Sequence, residues 1–403
     1  MRGLAGAGVA WGLHEVKGLL DRLCRELGEP APNVEYQAFL DHYPISKYYI
    51  DADHNTTPGP KAQRVPRLLL QFDWLIRVHG VPEFGKFLDD RRHEDPQTVL
   101  SGVDSVIDVI LAARSWKSVR PDRVLVLMGL SGLTWGALGQ DEEVRTATVA
   151  QLGRLFARVY TVGNDAKFGF HTMPLGLVEH KLRPAAPGGP AAAIAASRLD
   201  EVAKPFSVLA AFGVMSENWD THGGPLTLAD LTNASNTSAA ILEYGAMPFY
   251  GQLPMHFVRR SHQAGQVPKH VSRDAAARWL RKPATWHTGV VVQKFPQRQW
   301  WPALARFRFL VSPLGDEIQA PKSVEALLVL TIPITQRGPY RVAHDMQQLG
   351  FPMVFVDEWE EVTPGNLSRW WRDLSPRLAS FRANCLTTDA YWRMIIGGSR
   401  PCH

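Results

Sequence analysis

Five residues in one short stretch, Ser312, Gly315, Lys322, Ser323 and Glu325, have the types and spacing to hold a phosphorylated ligand. A Ser-Pro-x-Gly turn that leads into a helix exposes unpaired backbone N–H groups and the positive end of the helix dipole, and anions bind there. Lys322 adds a cation to that end, with Ser323 beside it. Glu325, one turn further on, is a carboxylate able to accept paired hydrogen bonds from a ribose or sugar diol. Two more side chains, Asp165 and His171 in GNDAKFGFHTMPLGL (163–177), are of the kind that take a proton from a hydroxyl. Both also suit structural tasks: Asp in a Gly-Asn-Asp turn caps backbone amides, and a His beside an aromatic residue packs.

The elements that must position the five residues follow from the apolar pattern between Arg306 and Trp359. Phe307 to Val311 is a short apolar run, Ser312, Pro313 and Gly315 form a turn, Lys322 to Leu330 is amphipathic, and Ile332 to Thr335 is a second apolar run. This is strand, turn, helix and strand within about one βαβ length. Ala326, Leu327 and Leu330 fall at helical spacing on the side facing the sheet, which leaves Lys322 and Glu325 nearer the ligand end. In open α/β sheets ligands bind at the carboxyl edge of the strands.

At these residues the chain resembles the exostosin-like glycosyltransferases. Ser312-Pro313 with Gly315, Glu325-Ala326-Leu327 and Ile332-Pro333-Ile334 match that family's pattern, and Phe351 to Val356 with Trp359, Val362-Thr363 and Leu367 resembles its next strand and helix. The likeness covers about the last third of the chain. Where the family has Arg, Asp, His, Arg, Trp and Gly, this chain has Leu314, Gln319, Pro321, Lys322, Val324 and Leu330. Lys for Arg keeps the charge but not the planar fork that grips a diphosphate.

The resemblance implies an α/β protein of two Rossmann-like domains facing a cleft, the GT-B glycosyltransferase architecture. It implies a nucleotide-sugar donor, a UDP-sugar, as co-substrate with no separate cofactor, a glycan or glycoprotein as acceptor, and a secretory-pathway or Golgi lumen. The donor residues are then Ser312, Gly315, Lys322, Ser323 and Glu325, and the base is Asp165 or His171. The same fold with drifted polar positions would instead be a non-catalytic glycan-binding or scaffolding protein.

Elsewhere the chain offers Arg123 to Met128 as a buried strand, Val144 to Ala157 as a helix, Arg158 to Val162 as the next strand, and Ser207 to Gly213 as the first strand of a second domain. Asp104 to Ala113 and Trp11 to Leu27 read as helices, and Arg67 to Val78 and Thr288 to Val292 as apolar runs. Arg183 to Ala196, rich in Pro, Gly and Ala, reads as a linker. The expected division is therefore 1–182, a linker at 183–202, and 203–403. Trp300 and Trp301, at helical spacing with Leu304, read as core.

The 403 residues carry a net charge of +5, but the basic residues are scattered, which describes a solvated surface and gives no basic stripe for nucleic acid. Cys24, Cys385 and Cys402 show neither metal spacing nor a disulfide framework, and no Asp-x-Asp stands at a strand end to hold a divalent metal. Apolar stretches are too short to span a bilayer, so membrane association would require an anchor not seen here. Four Asn-x-Ser/Thr sequons, at Asn55, Asn233, Asn236 and Asn366, point to a secretory lumen.

Overall fold

The computed structural model of the chain describes residues 34–47, 67–76, 95–102, 106–113, 116, 120–128, 138, 142–164, 169–178, 182, 189–212, 269–314, 318–338, 340–397 and 401–402. The helix expected at Trp11 to Leu27, the stretch Thr221 to Tyr250, Asp165 and Gly315 lie outside them, as do Cys24 and three of the four sequons.

In the first half the chain runs α1 (Val34–His42), β1 (Ile45–Lys47), α2 (Arg67–Leu70), β2 (Trp74–Ile76), β3 (Thr98–Gly102), α3 (Val106–Ala113), β4 (Val124–Met128), α4 (Glu142–Leu155), β5 (Arg158–Thr161), β6 (His171–Thr172) and β7 (Leu177–Val178). Strands β2 to β6 form a parallel sheet in strict chain order, while β1 pairs with β7. The apolar run Arg67 to Val78 divides into α2 and β2 around Asp73. That carboxylate accepts from the Gln97 and Thr98 amides, each at 2.9 Å, and so ties β2 to β3.

Strand β4 shows why such runs are apolar throughout. Leu125 and Leu127 pack under α3 and α4 with Val109, Leu152 and Phe156, whereas Val124 and Val126 point into the main core on the other face. Both faces of the sheet are covered.

The second half contains α5 (Pro190–Ala196), β8 (Phe206–Ala210), α6 (Lys269–Leu280), β9 (Val290–Val292), α7 (Gln297–Leu304), β10 (Phe307–Val311), α8 (Pro321–Leu328), β11 (Ile332–Gln336), α9 (Val342–Gln348), β12 (Val354–Val356), α10 (Pro364–Cys385) and α11 (Thr388–Ile396). Its parallel sheet has the order β12-β11-β10-β8-β9. The chain goes from β8 out to β9 and returns to β10 on the opposite side, so strand order reverses between β8 and β10. Among the described strands, the doubly wound order expected of a Rossmann-like unit is present in this sheet and absent from the first.

Two sequence expectations are corrected here. The stretch taken as a linker contains α5, with Pro190 at its first turn, where the missing N–H costs nothing, and with Pro190, Ala193 and Ile194 buried. The half-buried Arg382 guanidinium on α10 holds that helix down, donating to Ile194 O at 3.0 Å, Ser197 Oγ at 2.7 Å and Leu328 O at 3.2 Å, and thereby serving the carboxyl ends of α5 and α8 together. Cys385 and Cys402 form a disulfide. Seventeen residues apart, they meet because the tail returns past Leu349, whose carbonyl accepts from the Cys402 amide at 3.1 Å.

Helix α11 then crosses to the first half. Tyr160 Oη donates to Met394 O at 3.3 Å, Tyr391 Oη to Leu175 O at 3.3 Å and Thr388 Oγ1 to Tyr43 O at 3.0 Å, and Arg67 pairs with Asp389 at 3.0 Å. No helix of the described residues is long and apolar enough to cross a membrane.

At the amino edge of the second sheet lies Lys204, fully buried just before β8. Its ammonium donates to Ala305 O (2.9 Å), Phe307 O (3.0 Å), Val329 O (2.9 Å) and Thr331 Oγ1 (3.0 Å), linking β8 to the starts of β10 and β11. Burial, with the Arg382 guanidinium adding to it, pulls the Lys204 pKa from 10.5 down to about 7. Between those values the unfolded chain holds a proton that the folded chain has released. Stability therefore rises as pH climbs from about 7 to 10.5 and is lowest below that window. Urea unfolding of the wild type is expected to show this rise, on the order of 4 kcal/mol, and Lys204→Met is expected to lack it. A flat wild-type profile would mean that the four acceptors keep the proton on in spite of burial.

Candidate functional site

Strand order reverses between β8 and β10, and ligands of open α/β sheets bind in the crevice outside the carboxyl ends of the strands at such a point. Lys322, in the first turn of α8, reaches it. Its Nζ donates to Ala211 O, just past the end of β8, at 2.6 Å, and sits 4.7 Å from the centre of the Trp300 ring. One lysine thus spans from the helix that follows β10 to the end of β8.

Trp300, on α7, is nearly buried, and its indole Nε1 donates to Glu325 Oε2 at 2.6 Å. Glu325 is only 4% exposed. The carboxylate expected to meet a diol therefore has one oxygen turned inward onto the indole. Ser312 and Ser323 are also buried, and their hydroxyls meet at 3.0 Å, closing the end of β10 onto the first turn of α8. The structure accordingly brings Lys322 and Glu325 together around Trp300, and Ser312 and Ser323 together beside them. The sequence marked Trp300 as core, which it is; the indole N–H that needs a buried acceptor was the sign that it also organises charged neighbours.

On the other flank of the same helix start is a small depression walled by Leu175, Leu314, Val342, Met346, Met353 and Phe355, with Ser323, Thr335, Gln336 and Arg337 as its polar members. It spans the carboxyl ends of β11 and β12 and includes Leu175 from the first half.

His171 begins β6, half-buried, with its ring 5.1 Å from that of Tyr160. Burial lowers its pKa, the Arg158 and Arg341 cations lower it further, and the Asp345 carboxylate opposes them. It is thereby biased to the neutral imidazole, the form that accepts a proton. No contact joins it to Lys322 or Glu325 among the described interactions.

What lies between the two halves here is a closed junction. Gln319, in the loop after β10, donates to Val162 O at 2.7 Å and Met173 O at 2.8 Å and accepts from the Leu175 amide at 2.7 Å. Asp345, on α9, accepts from Thr172 Oγ1 at 2.6 Å and from Arg341 Nε at 3.0 Å, and Asn164 Nδ2 lies 3.4 Å from it. Gln319, Asp345, Thr172 and Asn164 are all buried. Since Val162 and Met173 follow β5 and β6, and Gln319 follows β10, the carboxyl edges of the two sheets are joined directly. Sequence reasoning missed Gln319, Asp345 and Thr172 because their partners lie more than 140 residues away. Among the described residues no group of three or more His, Cys, Asp or Glu is arranged to hold a metal ion.

No protein-family model matches the chain, and no curated protein matches it. The exostosin resemblance accordingly rests on the residues quoted above. Among solved structures, one similar chain is an alpha-glucosyltransferase in complex with UDP-glucose and DNA containing an abasic site. It is 9% identical, with 79% of this chain and 80% of that one covered and a TM-score of 0.25. A superposition that loose assigns neither fold nor activity.

Gln319→Leu is expected to strand two carbonyls and an amide at the junction and to cost about 3 kcal/mol or more of unfolding free energy. Amide exchange at Leu175 should accelerate together with the loss of stability. An unchanged denaturation midpoint with Leu175 still protected would show that the junction is held by other contacts.

Proposed function

We propose that this chain is a glycosyltransferase that takes a sugar from a nucleotide-sugar donor, a UDP-sugar, and gives it to a glycan or glycoprotein acceptor. The observation that carries the reading is Lys322 at the strand-order reversal, where a cation at a helix start meets the ends of β8 and β10. A diphosphate docked there would exchange the Ala211 carbonyl for its own oxygens as partner of the ammonium. The exostosin-like pattern at Ser312, Glu325 and Ile332 to Ile334 supports the same donor class.

In the proposed reaction the acceptor hydroxyl oxygen attacks the anomeric carbon, the bond from that carbon to the diphosphate oxygen breaks, and the hydroxyl proton passes to a base. His171, biased to its neutral form, is one candidate base and Asp165 the other. Lys322 and the backbone N–H groups at the start of α8 stabilise the charge that grows on the leaving diphosphate. Glu325 is the carboxylate that would orient hydroxyls of the donor.

A second reading, a non-catalytic glycan-binding or scaffolding protein, is favoured by one feature: Glu325 already accepts from Trp300, and Lys322 already donates to Ala211. Nucleotide binding separates the two. With UDP and GDP compounds well above their dissociation constants, the melting temperature of the wild type should rise by the equivalent of a few kcal/mol, about 2.7 kcal/mol at a hundredfold excess. Lys322→Ala should reduce the shift for the binding compound at the same concentration. If no nucleotide shifts the wild type, the donor-site reading falls and the second one stands.

We also infer an oxidising compartment, the secretory or Golgi lumen, from the Cys385–Cys402 pair, since such bonds persist where thiols are not kept reduced. Asn366, the one described sequon, donates its side-chain amide to Glu361 O at 2.7 Å at the start of α10. Alkylation of the protein in its own cells, followed by mass spectrometry, should find Cys385 and Cys402 unlabelled until reductant is added. Labelling of both without reductant would place the chain in a reducing compartment.

A further inference from the structure

Trp300 serves both charged groups of the crevice at once. Its edge is fixed by the hydrogen bond from Nε1 to Glu325 Oε2, and its face lies 4.7 Å under the Lys322 ammonium. The ring is itself held by burial on α7 against the main core. Its orientation is therefore set on three sides, by the core, by Glu325 and by Lys322.

A lysine side chain has four rotatable bonds and samples many rotamers at a helix start. The carbonyl of Ala211 and the negative face of an indole, the aromatic ring that attracts cations best, both confine this one. The carbonyl lies at the end of β8 and the indole on the helix that leads into β10, so the ammonium is kept across the crevice. Glu325 contributes by preventing the indole from rotating. Without that hydrogen bond a buried N–H would be left without an acceptor.

We propose that Trp300 is a positioning residue for Lys322, holding its ammonium at the β8/β10 crevice where the diphosphate of a nucleotide docks, with Glu325 locking the indole in register. The proposal rests on the donor-site reading given above for what docks, but the positioning itself is a property of the unliganded chain. Glu325 then has a task independent of any sugar hydroxyl.

Two measurements test it. In protein labelled with 13C at lysine, the Lys322 methylene protons nearest the ammonium, assigned by their disappearance in Lys322→Met, are expected to be shifted upfield by the ring current of Trp300. Trp300→Leu should return them to ordinary lysine positions, and Trp300→Phe, which keeps a ring but no N–H, should retain part of the shift. Affinity for UDP is the second readout. Trp300→Leu and Lys322→Met should each weaken it about tenfold, the size of a partly desolvated cation–aromatic contact, and the double variant should bind no more weakly than Lys322→Met alone.

Should Trp300→Leu fail to fold, Trp300→Phe still decides: a retained shift with affinity reduced less than in Lys322→Met supports the proposal. Lys322 protons at ordinary positions in the wild type, or additive losses in the double variant, overturn it. If UDP binds no form of the protein, the donor-site reading fails, while the lysine spectrum continues to show whether Trp300 holds Lys322.

Discussion

One buried lysine sets the geometry on which the second sheet depends. Lys204 is enclosed by three carbonyls and a hydroxyl, all neutral, that belong to the ends of α7 and α8 and the starts of β10 and β11. Desolvating a charge without a counter-ion is costly, and dipoles aimed at it from several sides return part of that cost. The arrangement works only if the strands keep their spacing. It therefore couples the β8/β10 reversal to a lysine at the amino edge, while Lys322 stands at the carboxyl edge. Two lysines, one at each end of the same pair of strands, make different links: the first ties the starts of β10 and β11 to β8, and the second joins the helix after β10 to the end of β8.

The junction between the halves is built on the same principle with uncharged and charged polar groups together. Gln319 has both donor hydrogens and its acceptor oxygen engaged, and all three partners belong to the first half. Asp345 is served by a hydroxyl from one half and a guanidinium from its own. Buried polar groups bonded this way specify one arrangement, because any slip would leave several of them unsatisfied at about 1–3 kcal/mol each. Helix α11 adds a strap, with Tyr160, Tyr391 and Thr388 each bonded across.

Much of the fold could be read from local pattern. Val124 to Met128 is a strand apolar without interruption because both faces of a parallel sheet are covered, and Phe307 to Val311 is a strand whose apolar run is broken by the half-buried Arg308. Helix α8 follows from the spacing of Ala326 and Leu327 behind Pro321. Strand order was not readable, since nothing in Ser207 to Gly213 says which neighbour β8 takes on each side. Nor were the partners of Lys204, Gln319 and Cys385, because each is defined by groups distant in sequence. The Pro-Ala stretch misled for a different reason: alanine is the best helix former, and one proline at the first turn does not stop a helix. At the crevice, residue types were legible and their connections were not. Trp300 was seen as an aromatic at core spacing, whereas its N–H, its face and its two charged neighbours exist only in three dimensions.

The departures from the exostosin-like pattern can now be weighed one at a time. Pro321 occupies the first position of α8, where its missing N–H was unpaired in any case. Leu330 takes the left-handed conformation that ends the helix, at φ 61°, where a glycine would be unstrained. The penalty of about 1–2 kcal/mol is offset by a side chain only 3% exposed in the core, whose burial contributes about as much. Gln319 bridges the halves, and Leu314 is buried with its amide bonded to Ser272 Oγ at 3.2 Å. Leu314, Gln319, Pro321 and Leu330 each have a structural role where they stand. Among the described residues, Lys322 and Glu325, both centred on Trp300, are the charged side chains in the first turns of α8. Among the described residues, that indole-centred trio and the backbone beside it are what a phosphorylated ligand docked at this edge would meet.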